Sequence, residues 1–241
     1  MKLIPVLCNS LILFSILSVC ISCQREAISH FEKGNTAYDK SDYKTAIVEY
    51  SKAIELYPQY ENAYFFRGTS KYQLEDYTGA VSDYTSVIDI NPKNSVAYTS
   101  RGITKFGMKD YDGAIADFTE SIKLNPANEE AYNNRGYCQT VLQNYSEAVE
   151  DFNEAVKINP ENFSTYYNRG IALFGLEDYN RAVKDFTFVI QKNPNNPINY
   201  YTRGNTYFKM KKLQLACDDW NRAKELGMKD VEELVQNYCE K

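Results

Sequence analysis

The chain has 241 residues, 24% of them charged and 44% hydrophobic, with a formal net charge of -5. That composition excludes a disordered chain, and an acidic balance without clustered Lys and Arg argues against nucleic-acid binding, which needs cations to displace counterions. One histidine, no Gly-rich loop behind a strand and no Cys or His cluster at metal spacing leave no convergent catalytic constellation. The chain is therefore expected to be non-catalytic and to need no metal or cofactor.

Taken in chain order, Leu3 to Ser22 comes first: Lys2 is the only charge before Arg25, and Leu11 to Ile21 is apolar apart from two serines. This stretch, short for a comfortable membrane span, reads as a secretion signal over 1–22, with 23–26 a short tether. Removing it deletes only Lys2 and takes the formal charge from -5 to -6.

From Ala27 the chain repeats every 34 residues. Gly34, Gly68, Gly102, Gly136, Gly170 and Gly204 hold register 8 of this period, and Pro58, Pro92, Pro126, Pro160 and Pro194 close successive units. Register 4 is Tyr64, Tyr98, Tyr132, Tyr166 and Tyr200, with His30 in the first unit; register 17 is Tyr43, Tyr77, Tyr111, Tyr145 and Tyr179. Register 20 is alanine from Ala46 to Ala216, and register 24 is Tyr50, Tyr84, Phe118, Phe152, Phe186 and Trp220. Registers 4, 8 and 11, and again 20, 24 and 27, step at helical spacing, which predicts two amphipathic helices per unit. Small residues at registers 8 and 20 let the paired helices approach closely, and the proline stops the second helix. His30, at an aromatic register, is expected to pack in the core. The acidic pair Glu129-Glu130 falls at a helix start, where the helix dipole favours negative charge.

Six such units, 27–60, 61–94, 95–128, 129–162, 163–196 and 197–230, resemble the tetratricopeptide repeat family in their aromatic, Gly, Tyr, Ala, Phe and Pro positions, with Leu213 and Met228 the departures in the last. The resemblance implies an all-α, right-handed superhelical solenoid of six helix-turn-helix repeats, finished by a capping helix over 231–241. Separately, the end of the signal, Val19-Cys20-Ile21-Ser22-Cys23, resembles the lipobox of bacterial lipoproteins, in which the cysteine after a small residue is lipidated. That makes Cys23 the lipid-bearing residue and places the chain in a bacterial cell envelope, membrane-tethered on the periplasmic or outer-membrane side; an uncleaved signal anchor is the other reading.

Register 7 is basic throughout (Lys33, Arg67, Arg101, Arg135, Arg169, Arg203) and register 23 is acidic (Glu49, Asp83, Asp117, Asp151, Asp185, Asp219). In a helical hairpin the two positions lie about 12 Å either side of the turn along each helix. They are expected to meet as internal ion pairs rather than to form an anion ladder. Cys138 reads as a small buried hydrophobe. Cys217, on the last repeat, and Cys239, on the cap beside it, either pair in an oxidising compartment or remain two thiols.

In the family, registers 2, 5, 9 and 12 of the first helices line a concave groove. Here they include Phe31, Asn35, Phe65, Tyr72, Phe106, Asn133, Tyr137, Tyr167, Tyr201 and Asn205, with Asn134 and Asn168 at register 6. The groove is expected to be aromatic and polar with almost no charge, and large aromatics with polar tips suit binding hot spots; register 12 alternatively packs against neighbouring units. The carboxylate clamp that some members use on acidic tails is absent, since Phe31, Asn35, Phe66, Val96 and Ser100 stand at its positions. The resulting expectation is an interaction scaffold for a protein or peptide segment, with a glycan or small-ligand module, or a self-associating architectural protein, as alternatives.

Overall fold

The structure is a computed structural model that describes residues 23–240. The expected signal segment, 1–22, lies outside the described residues. Among the described residues the chain is helical, without a strand. It begins with α1 (residues 23–39), so the stretch 23–26, expected as a tether, is helical; Gln24, Arg25, Glu26 and Ala27 are all good helix formers. There follow α2 (Tyr43–Leu56), α3 (Glu61–Gln73), α4 (Tyr77–Ile90), α5 (Ser95–Gly107), α6 (Tyr111–Leu124), α7 (Glu129–Val141), α8 (Tyr145–Ile158), α9 (Phe163–Gly175), α10 (Tyr179–Lys192), α11 (Pro197–Lys209) and α12 (Leu213–Glu225). A short 3-10 turn, Lys229–Val231, leads into α13 (Glu232–Tyr238), so the cap is shorter than 231–241. No described helix is long and apolar enough to cross a membrane.

The turns within each helix pair share one construction. Register 15 is left-handed every time, at Ser41, Glu75, Lys109, Gln143, Glu177 and Lys211, with φ between 59° and 64°. The next residue sends its N–H back to register 11, as from Asp76 to Lys71 O at 2.9 Å and from Asn144 to Gln139 O at 2.8 Å, which satisfies carbonyls that the helix end leaves open. Where that residue is aspartate it also caps the second helix: Asp76 Oδ1 accepts from Gly79 N at 3.0 Å and Asp178 Oδ1 from Arg181 N at 3.2 Å.

The chain forms two compact units, one ending at Gly113 and one beginning at Ala114, within α6. In the first, Ala46 and Tyr50 are wholly buried with Phe31, Tyr38 and Phe66 packed on them, and Val87, Ile88 and Ala97 form a further cluster with Tyr64, Phe65 and Tyr98. In the second, Ala148, Phe152, Ala172, Leu173, Ala182 and Phe186 make a continuous core across α8, α9 and α10. Gly170 is needed there, because a Cβ on it would lie 2.6 Å from Phe186 Cε1. At the carboxyl end Trp220 packs with Ala216, Cys217 and Val235 of the cap. Cys217 and Cys239 form a disulfide across α12 and the end of α13, with Cα atoms 5.6 Å apart, and Cys138 is a buried thiol.

Candidate interaction face

The basic and acidic registers pair as arginine–aspartate rungs in the second, fourth, fifth and sixth repeats. Arg67 Nε donates to Asp83 Oδ2 at 3.0 Å and Nη2 to Oδ1 at 2.6 Å, and Lys71 Nζ adds a contact to Asp83 at 2.8 Å. Arg135 grips Asp151 at 2.9 and 2.6 Å, while both Arg169 on Asp185 and Arg203 on Asp219 make two bonds of 2.8 Å. These hydrogen bonds raise the pKa of Arg135, Arg169 and Arg203, whereas burial pushes the Asp151 carboxyl up despite its arginine. Arg101 reaches Thr85 Oγ1 at 3.0 Å, and Asp117 is buried.

Sequence reasoning missed where the third guanidinium nitrogen goes. Each Nη1 donates to register 25 of the preceding repeat: Arg67 to Ser51, Arg135 to Thr119 and Arg203 to Thr187, all at 3.0 Å, and Arg169 to Asn153 at 2.9 Å. One side chain thus ties its own hairpin and staples it to the repeat before. The first repeat differs. Lys33 is exposed, and Glu49 instead bonds His30 Nδ1 and Lys52 Nζ, each at 2.6 Å. His30, expected to pack, is therefore a polar partner of Glu49.

The groove registers divide into two kinds. Asn35 Oδ1 accepts from Tyr50 OH at 2.9 Å and Asn205 Oδ1 from Trp220 Nε1 at 3.0 Å, while Thr69 Oγ1 lies 3.1 Å from Tyr84 OH. Asn35 and Asn205, expected to face a partner, thus commit their carbonyls to the polar tips of core rings. Where register 24 is Phe118, Phe152 or Phe186 there is no tip to satisfy, and register 9 is Ile103, Tyr137 or Ile171. The matching of registers 9 and 24 along the chain is a signal that identifies these pairs.

Several expected groove aromatics in the first unit are engaged in packing. Phe31 stacks with Tyr60 at 4.9 Å between centroids, Phe65 with Tyr84 at 5.6 Å, Tyr72 with Tyr77 at 5.6 Å and Phe106 with Tyr111 at 5.4 Å. Tyr201 packs against the Trp220 cluster.

In the second unit α7, α9 and α11 present a more open face. Tyr137 is 42% exposed, Asn134 is half-buried, and Asn168 Nδ2 donates to Asn133 Oδ1 at 3.3 Å. Tyr167 rests its ring on Phe186, with its hydroxyl 3.3 Å from Thr202 Oγ1. Beside Tyr167 and Asn168 a cleft of about 350 Å³ opens between α9, the end of α10 and the start of α11. Phe163, Ser164, Val189 and Ile198 line it with Asn193, Asn196 and Asn199, and no charged side chain is among its walls. Such a surface offers ring faces, amide donors and amide acceptors. Cys23 is half-buried on α1.

Comparison with known proteins matches the repeats directly. Sequence patterns described as Tetratricopeptide repeat fit residues 61–94, 96–128, 129–162 and 163–196, and one described as TPR repeat fits residues 34–74. No curated protein matches the chain. Among solved structures the chain resembles pilF of Pseudomonas aeruginosa, with 16% identity, a TM-score of 0.74 and coverage of 90% of this chain and 99% of that one. A tetratricopeptide repeat protein from Parabacteroides merdae aligns with 20% identity and a TM-score of 0.70 over 89% of this chain and 97% of that one. YrrB, described as a TPR protein with an unusual peptide-binding site, aligns with 17% identity and a TM-score of 0.70 over 78% and 97%. At these identities the likeness is one of fold.

Proposed function

This chain belongs to the tetratricopeptide-repeat family, and from that premise we propose that it is a non-catalytic scaffold that grips a partner's polypeptide segment on the α7–α9–α11 face. Proteins of this family are in general interaction scaffolds, and a fold alone does not say what fills its surface. What carries the reading is the second unit's uncharged strip: Tyr137, Tyr167, Asn133 and Asn168 beside an open cleft, while the nearby arginines are consumed by internal pairs. Rigid rings with polar tips give large contact area at small entropic cost, and amides meet an extended backbone. The peptide site of YrrB, on a similar fold, supports the same use here. Lipidation at Cys23 would tether the scaffold to a membrane of a bacterial envelope.

The test places a photo-crosslinking residue at position 167 in living cells, with position 150 as control, and identifies adducts by mass spectrometry. One dominant protein adduct at 167 alone is expected. No protein adduct at 167 would overturn the reading.

A further inference from the structure

The cleft lies where two other repeats, but not all, place a glutamate. At register 1, where the first helix of a repeat begins, Glu61 accepts from Asn94 Nδ2 at 2.7 Å and from Asn91 Nδ2 at 3.1 Å. Glu129 accepts likewise from Asn162 Nδ2 at 2.9 Å and Thr165 Oγ1 at 3.1 Å. In each case a carboxylate at the start of one repeat's first helix fastens the asparagine that caps the first helix of the next repeat. The following repeat keeps the asparagines, Asn193 and Asn196, but carries Phe163 where the carboxylate stood.

Asn196 repeats the local geometry of its counterparts. Its Oδ1 caps α11 through Ile198 N at 3.0 Å, as Asn94 Oδ1 takes Ala97 N at 3.0 Å and Asn162 Oδ1 takes Ser164 N at 3.2 Å. With the oxygen committed to the cap, the amide nitrogen is the group left to face register 1, where Phe163 has no acceptor to offer. Asn199, 3% exposed, holds the Asn193 carbonyl at 3.2 Å and so fixes the floor. Phe163 and Ile198, 38% and 48% exposed, flank the opening.

We propose that this cleft receives the side-chain carboxylate of a glutamate in a partner's polypeptide segment, seated on Asn193 and Asn196 where the chain's own glutamate is absent, with an adjoining apolar residue on Phe163 and Ile198. The inference rests on the scaffold reading and adds one acidic anchor to a segment that is otherwise neutral. Hydrogen bonds to a charged acceptor exceed those to a neutral one.

The probes are acetyl-Leu-Glu-Leu-amide and its Gln counterpart, titrated into the ¹⁵N-labelled full chain. The Glu peptide is expected to shift the Asn193 and Asn196 side-chain amide resonances saturably, about five- to tenfold more tightly than the Gln peptide. Asn193→Ala should weaken it. Phe163→Glu should supply the carboxylate in cis, abolish binding and raise the melting temperature, its backbone spectrum confirming the fold. Equal binding of both peptides, or no saturable shift at the two amides, overturns the proposal. That failure alongside a dominant protein adduct at position 167 leaves the scaffold reading standing; loss of the adduct removes both.

Discussion

Arg135 holds Asp151 through two nitrogens and Thr119 through the third, so one guanidinium closes its own hairpin and joins it to the preceding repeat. Their side chains are 21% and 8% exposed, which makes the pair largely dry. Removing one member strands the other's charge. Arg135→Leu should cost about 3–5 kcal/mol in denaturant titrations, and Arg135→Leu with Asp151→Leu clearly less than the sum of the single changes. Strict additivity would refute the coupling.

The matching of registers 9 and 24 predicts a second non-additive pair. Thr69→Ile leaves the buried Tyr84 hydroxyl without its partner and should cost about 1–3 kcal/mol. Adding Tyr84→Phe rebuilds the Ile–Phe combination that the third and fifth repeats carry, and should recover most of that loss. A double variant no more stable than Thr69→Ile shows the hydrogen bond to be incidental.

Six left-handed turn residues stand where glycine carries no steric penalty. Gln143, exposed with φ at 64°, is the simplest to change, and Gln143→Gly should stabilise the protein by roughly 0.5–1 kcal/mol. A fall in the thermal midpoint would mean that its side chain contributes contacts worth more than the backbone strain.

Burial raises the pKa values of Tyr84 and Cys138 to about 12 each, from ordinary values of 10.0 and 9.0. The folded state then binds protons that the unfolded chain releases. Stability from these groups is complete below pH 9 and is lost as pH rises through about 12. The unfolding free energy from denaturant titrations should fall with a slope approaching about 1.4 kcal/mol per pH unit per group between those limits. Cys138→Ala should flatten the lower end of the curve, near pH 9 to 10, and a pH-independent midpoint across this range would contradict the buried assignment.

How much of this was readable in advance follows from the kind of interaction. The 34-residue period exposed the helices and the pairing of registers 7 and 23, because both depend on regular spacing that a short turn preserves. Ser51, Thr119 and Thr187 were invisible as Arg partners, since a Ser or Thr on a helix reads equally well as solvated. Glu129 read only as a charge favoured by the helix dipole; its bond to Asn162 joins residues 33 apart, and only the stacking of repeats brings them together. The groove aromatics divided for a related reason: Phe31 and Tyr72 have the composition of a binding surface but spend it on neighbouring rings.

The two ends of the array are unequally fastened. The last hairpin has Arg203 on Asp219, a capping helix and the Cys217–Cys239 crosslink, whereas the first has an exposed Lys33 and a Glu49 drawn aside by His30 and Lys52. In a linear array local openings begin at the weakest joint. Local opening is therefore expected to begin at α1 and α2, while the crosslinked last hairpin stays closed.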